Sequence, residues 1–197
     1  MLLDTERLLV RDLVSADLDA VHAILDVDLR MDDRTREDRA RWLEWTILDY
    51  EQRHRAHQPP YGEYGVELKE TGQVVGLVGL VPSLMPFGIL GYYATHAPGQ
   101  ARAHSFPEVG LFWAVSSAHQ RRGYAGEAGA ALLAFGFNHM KLARIVATTE
   151  HVNAASIGVM RRLGMRVEHN PLPAPFFMQV VGILENPNIA PSWPTHP

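Results

Sequence analysis

Apolar and polar positions along this chain change period several times, and each change marks an element. Residues 8–13 form a short apolar stretch that reads as a first strand. Ser15-Ala16-Asp17 then looks like a helix start, with Leu18, Val21, His22 and Leu25 following at helical spacing. Charge is dense between 30 and 57, yet Trp42, Leu43, Trp45, Ile47, Leu48 and Tyr50 form an apolar face within it. That pattern predicts a surface helix over 35–55, ended before Pro59-Pro60. Segments 65–69 and 73–81 flank Glu70-Thr71-Gly72, a turn signal, and predict a β-hairpin.

Residues 82–106 carry three Pro, three Gly and several aromatics without a clean period. A stretch of this kind reads as a long loop, and long loops in compact domains are often functional lids. Phe87, Tyr92, Tyr93 and His104 within it suggest a cover over a substrate; a surface insertion is the plainer alternative. Beyond it the order is regular: a strand over 109–115, a helix over 123–139 and a strand over 144–149. A helix over 154–163, a short strand over 165–168 and a final strand over 176–184 follow. Residues 185–197 read as a Pro-rich tail that frays. No repeat or linker interrupts 4–184, so the expectation is one mixed α/β domain.

Composition narrows the class. The chain has 197 residues, 47% of them hydrophobic and 20% charged, which excludes disordered, collagen-like and coiled-coil classes. A formal charge of -4 argues against a general nucleic-acid grip, so an anionic ligand needs a local positive patch. The absence of Cys removes disulfides, thiolate metal sites and Cys nucleophiles together. Asp4 and Glu6 interrupt the N-terminus where a signal peptide needs an apolar run, and the apolar stretches at 74–81 and 128–137 are too short to span a bilayer. A soluble, cytoplasmic protein without a membrane partner is expected.

Two segments carry candidate chemistry. The first runs from Val109 through Val115, then Ser116-Ser117-Ala118-His119-Gln120-Arg121-Arg122-Gly123-Tyr124-Ala125-Gly126-Glu127, into an Ala- and Leu-rich helix. Strand, basic glycine-containing loop and helix start make an anion site, because a helix N-terminus offers free N–H groups and a positive dipole end. Gly123 and Gly126 let a ligand approach the backbone, and Arg121 and Arg122 supply charge for phosphate oxygens. A solvated connection whose arginines face water is the alternative. The second segment is Asn153 to Met165, where Asn153 is a good N-cap and Gly164 a natural helix stop. An ordinary capped helix explains it equally well.

Taken together the two segments resemble the GCN5-related N-acetyltransferase (GNAT) family. Gln120-Arg121-Arg122-Gly123-Tyr124-Ala125 matches its Q/R-x-x-G-x-G/A pyrophosphate loop, and Asn153-x-x-Ser156 followed by Leu163-Gly164-Met165 matches its second cofactor helix. The opening Thr5-Glu6-Arg7-Leu8-Leu9-Val10-Arg11 and the run 123–128 are similar to the RimJ/RimL branch. The resemblance implies an acyl-CoA N-acyltransferase fold, a strongly twisted mixed, mostly antiparallel sheet splayed at the cofactor site with flanking helices. It implies acetyl-CoA as cosubstrate, no metal, and transfer of acetyl to a primary amine of a peptide N-terminus or a small molecule. A homodimer is compatible with the branch.

Carried over residue by residue, the resemblance assigns Phe112, Trp113, Ala114 and Val115 to the pantetheine. Gln120, Arg121, Arg122, Gly123, Tyr124, Ala125 and Gly126 fall to the pyrophosphate, and Asn153 and Ser156 to the thioester end. Glu108 takes the place of the base, with a strand-end surface carboxylate as its alternative. A strand N–H near Trp113 or Ala114 takes the oxyanion. The family's frequent acid, a Tyr seven residues after the Asn, is Met160 here and cannot donate, so Ser156 becomes the candidate acid. That departure keeps a non-catalytic CoA-binding module open as a rival. His54 and His57 lack a ligand pattern and read as solvated, while Glu150 and His151 could line the acceptor side.

Overall fold

The computed structural model describes residues 1–96 and 105–189. Its strands are β1 (Leu2–Asp4), β2 (Leu8–Arg11), β3 (Gly62–Leu68), β4 (Val74–Met85), β5 (Phe106–Val115), β6 (Arg144–Thr149), β7 (Arg166–His169) and β8 (Val180–Glu185). Its α-helices are α1 (Leu18–His22), α2 (Arg36–Arg55), α3 (Gly91–His96), α4 (Tyr124–Asn138) and α5 (Ala154–Arg162). The strands are hydrogen-bonded in the order β1-β2-β3-β4-β5-β6-β8-β7. The pairs β1–β2, β2–β3, β3–β4, β6–β8 and β7–β8 are all antiparallel. The expected mixed α/β class, with a mostly antiparallel sheet and flanking helices, holds. Among the described residues no helix is long and apolar enough to cross a membrane.

The chain divides into two compact units, Met1–Pro82 with Gly110–Leu132, and Ser83–Val109 with Leu133–Pro197. In the first, Leu13, Val21, Ile24, Leu25, Leu43, Val74, Leu77 and Ala114 form the buried core. Helix α2 starts where the sequence indicates: the Thr35 hydroxyl accepts the Asp38 N–H at 3.1 Å, and Glu37 and Asp38 fill the first turn. Its buried side follows 39, 43 and 46, with Trp42, Ile47 and Tyr50 half-buried beside it. Trp45 and Leu48, expected on the apolar face, are exposed instead. They lie off the stripe that three- and four-residue steps select.

The expected first helix is not uniform. A 3₁₀ turn, Ser15–Asp17, leads into α1, which relaxes into a π-helical stretch over Ala23–Asp28. One buried ion pair sits in that stretch. Arg39 Nε and Nη2 donate to Asp26 Oδ2 and Oδ1 at 2.8 and 2.6 Å. His22 Nδ1 lies 3.0 Å from Asp26 Oδ2, and Arg39 also reaches Asp32 at 3.0 Å. Strand β1 was not legible in the sequence; it pairs with β2 through Leu3 opposite Val10.

The second unit corrects the loop expected over 82–106. β4 continues to Met85, a 3₁₀ turn covers Phe87–Ile89, and α3 follows. Phe87, Leu90, Tyr92 and Tyr93 are buried with Val146, Met178, Val181 and Ile183. The aromatics are therefore core and not a lid. A helix of six residues is too short to show a period, so aromatic density was the only signal. His104 lies outside the described residues. The final strand is also shorter than expected: 176–178 form a 3₁₀ turn, with Phe176 and Phe177 exposed. At the start of the tail, buried Asn186 donates to the carbonyls of Phe137 and Leu142 at 3.2 and 2.9 Å. Residues 190–197 lie outside the described residues. Met160 and Met165 pack against Gly182, where a Cβ would stand 3.0 Å from Met160 Cγ and from Met165 Sδ.

Removing Arg39 leaves the Asp26 carboxylate buried without its partner. Arg39→Ala is therefore expected to cost about 3–5 kcal/mol of stability, read by urea unfolding. Burial pushes the Asp26 carboxyl up, but the Arg39 and His22 hydrogen bonds outweigh it and bring its pKa from 3.8 to about 2. A pKa depressed by folding adds stability in full above the unfolded value and loses it as pH falls through the folded one. Wild-type stability should thus drop between about pH 4 and 2, with a smaller drop in Asp26→Asn.

Candidate functional site

The loop after β5 is built within the first unit. The Ser116 N–H donates to the Val75 carbonyl at 2.9 Å, which fixes where the strand ends. A 3₁₀ turn, Ser117–His119, redirects the chain, and Gln120 Nε2 reaches back to the Val115 carbonyl at 3.0 Å. Arg121 then takes φ 59° and Gly123 φ 87°, both left-handed. Holding an arginine there costs about 1 kcal/mol, and strain of this kind concentrates at functional turns. Gly123 accepts the Glu127 N–H at 3.0 Å and so opens α4, whose fifteen residues give the turn a full dipole. Arg121 and Arg122 are exposed, and among the described residues no carboxylate pairs with either. Unpaired cations at the start of a helix are the kind of arrangement an anion site needs.

The first turn of α4 is held from the N-terminal segment. The Thr5 hydroxyl and the Arg7 N–H donate to Glu127 Oε1 at 2.6 and 2.8 Å, and Arg7 Nε donates to Oε2 at 2.7 Å. Arg7 also donates to the Arg122 carbonyl at 3.0 Å and lies 4.7 Å from the centre of the Tyr124 ring. Burial pushes the Glu127 carboxyl up, but the Thr5 and Arg7 bonds outweigh it and hold it below the ordinary range. From the other side, Asp28 accepts the Ser117 N–H at 2.5 Å, and the Ser117 side chain and backbone together lower its pKa. The sequence offered Thr5, Arg7 and Glu127 only as parts of a family signature, and their pairing across the loop was missed.

Of the other cofactor candidates on β5, Phe112 and Trp113 are half-buried, whereas Ala114 and Val115 are buried. Tyr124 and Ala125 are half-buried and Gly126 is buried, all in the first turn of α4.

The second unit holds the remaining candidates. Asn153 Oδ1 caps α5 by accepting the Ser156 N–H at 3.0 Å. The Ser156 side chain is half-buried, and among the described residues its hydroxyl makes no hydrogen bond. Met160, at the place of the family's Tyr, is fully buried in the packing around Gly182. The Glu108 side chain is only 6% exposed and is tied to Arg144: Nε donates to its two oxygens at 3.1 and 3.2 Å, and Nη2 bonds Oε1 as well. The Arg144 guanidinium packs over Tyr93, 4.8 Å from its centre. Burial, reinforced by the Glu108 charge, pushes the Tyr93 hydroxyl well above the ordinary phenol range. Arg144 was not singled out in the sequence, where it reads as the first residue of a strand. Asn153 and Ser156 are thus brought together, while Glu108 is engaged elsewhere and shares no hydrogen bond with Ser156.

The acetyltransferase (GNAT) domain family matches residues 7–166 of this sequence. The chain belongs to that family. It is 44% identical over 61 residues to the uncharacterized N-acetyltransferase YnaD of Bacillus subtilis, a segment covering 31% of this chain and 35% of that relative. The match thus spans about a third of the relative's length. Among solved structures, a GNAT-family acetyltransferase from Bacillus anthracis superposes with a TM-score of 0.65 at 22% identity, over 93% of this chain and 96% of that one. RimJ from Mycobacterium smegmatis, in complex with a CoA disulfide, gives a TM-score of 0.61 at 18% identity, over 90% and 81%. These likenesses establish the fold.

The clamp makes a prediction independent of any ligand. Glu127→Gln keeps the size of the side chain but loses its charge-assisted bonds, and should lower stability by about 1–3 kcal/mol. Amide exchange should rise in 121–126 more than in the core strands; uniform protection would show that the loop holds its shape without the clamp.

Proposed function

We propose that the chain is an acetyl-CoA-dependent N-acetyltransferase of the RimJ/RimL-like kind, with 4–184 acting as one catalytic domain. The acetyl group goes to a primary amine, on a protein or peptide N-terminus or a small molecule. The reading rests chiefly on one observation: a strained, doubly left-handed turn opens a long helix beside two unpaired arginines. That arrangement fits a pyrophosphate. At Gly123 the left-handed backbone, φ 87°, would strain any side chain, although a Cβ there would meet no more than ordinary contact with Arg7 Nη2 at 3.4 Å.

Acetyl-CoA, when bound, supplies a thioester whose C–S bond breaks as the amine's C–N bond forms. Gln120 to Gly126 hold the pyrophosphate in this reading, and the β5 backbone over Phe112 to Val115 lies along the pantetheine. A strand N–H near Trp113 or Ala114 donates to the developing oxyanion. The Ser156 hydroxyl, free of other bonds, gives its proton to the departing sulfur. Glu108 takes the amine's proton through water, oriented by Arg144. The engagement of Glu108 with Arg144 favours a second reading, a CoA-binding module without turnover, and the assays below separate the two.

Calorimetry with acetyl-CoA tests the loop. Arg121→Ala and Arg122→Ala should each weaken binding by about 1–3 kcal/mol, and Gly123→Asp should weaken it strongly. Unchanged affinity in all three removes the loop from the cofactor site.

Thiol release against a panel of amines and N-terminal peptides tests the chemistry. Ser156→Ala should slow turnover by roughly 100-fold, and Glu108→Gln should slow it most below the amine's pKa, both with acetyl-CoA affinity kept. Full activity in both variants moves the proton path to other groups. Acetyl-CoA binding with no thiol released against any amine supports the second reading.

A further inference from the structure

His151 follows β6 by two residues, and His169 is the last residue of β7. Both strands pair with β8, and Thr149 and His169 both stand opposite Val180. The two imidazoles therefore meet across the start of β8. They stack with ring centres 5.4 Å apart and planes at 19°, and their Nδ1 atoms are 3.4 Å apart. Gln179 fixes both backbones around them. Its side-chain carbonyl accepts the His151 N–H at 2.9 Å, and its main-chain carbonyl accepts the Asn170 N–H, next to His169, at 2.9 Å.

Two imidazole nitrogens on one tetrahedral ion, with metal–nitrogen bonds of about 2.0–2.1 Å, stand ~3.3–3.4 Å apart, the edge of the tetrahedron. The observed separation has that length. A hydrogen bond between exposed imidazoles competes with water and adds little, so it does not by itself account for the close approach of the two rings. We propose that His151 and His169 form a two-imidazole site for a divalent transition-metal ion of the zinc class, with water completing the coordination. Among the described residues no third His, Asp or Glu joins them, so the site is open and its ion exchangeable. Nearby Glu168 is occupied by Arg166 at 2.6 Å and by the Tyr92 N–H at 3.0 Å. Imidazole donors select Zn²⁺, Cu²⁺ or Ni²⁺ over Mg²⁺ or Ca²⁺, which prefer oxygen.

The test is calorimetric titration of the full chain, carrying no affinity tag, with ZnCl₂. One ion per chain is expected, with affinity reduced at least about tenfold in His151→Ala and again in His169→Ala, since each removes one of two protein ligands. Both side chains are exposed, and thermal melts of the variants should match the wild type. Titration with MgCl₂ should give no comparable heat. NMR shifts of both imidazoles on adding Zn²⁺ provide a second readout. The proposal fails if no Zn²⁺ binds below about 1 mM, if either variant binds as the wild type does, or if Mg²⁺ competes. The result does not depend on the acetyltransferase reading, because no cosubstrate or acceptor enters the experiment.

Discussion

Glu127 is the carboxylate on which the candidate anion loop depends. A left-handed arginine two residues before a left-handed glycine is not a conformation the chain keeps unaided. The Glu127 oxygens collect one hydroxyl, one backbone N–H and one guanidinium from a segment about 120 residues away in sequence. The same guanidinium then holds the Arg122 carbonyl. Thr5 and Arg7 thus tie the start of α4 and the preceding turn to the N-terminal segment. Charge at the helix start is balanced by one acid, and the two arginines ahead of it remain available.

The opposite side of the loop is held by a chain of interactions that begins in a buried pair. Arg39 and Asp26 satisfy each other bidentately in the core, and the π-helical stretch around Asp26 carries Asp28 out to the Ser117 N–H. π-Helical turns are rare, and this one ends at the carboxylate that holds the loop after β5. Both ends of the turn are therefore fixed by acids, one from the helix pair and one from α4.

Much of this was legible locally. The β-branched run over 144–149 was read to the residue, and Thr35 before a charged helical pattern located α2. The strand–loop–helix order around Gly123 and the cap at Asn153 were visible because turn and cap chemistry depends on near neighbours. What escaped was decided by distant partners. Nothing near Glu108 announces Arg144, and nothing near Glu127 announces Arg7. The segment around Tyr93 looked like a loop because its burial comes from Val146, Met178 and Val181, residues that only the tertiary register brings to it. Trp45 and Leu48 show the converse, apolar residues counted into a face that the helix turns toward water.

The packing around Gly182 has a consequence for the chain's redox chemistry. With no cysteine in the sequence, methionine sulfur is the oxidisable sulfur this protein carries. Met160, Met165 and Met178 are buried, two of them against a residue whose missing side chain leaves just enough space for thioethers. A sulfoxide there would need room and a polar partner, and the site offers neither. Met31, half exposed near the start of the acidic-basic stretch, is open to oxidants instead. Peroxide stress would therefore mark the surface first and leave the interior thioethers intact.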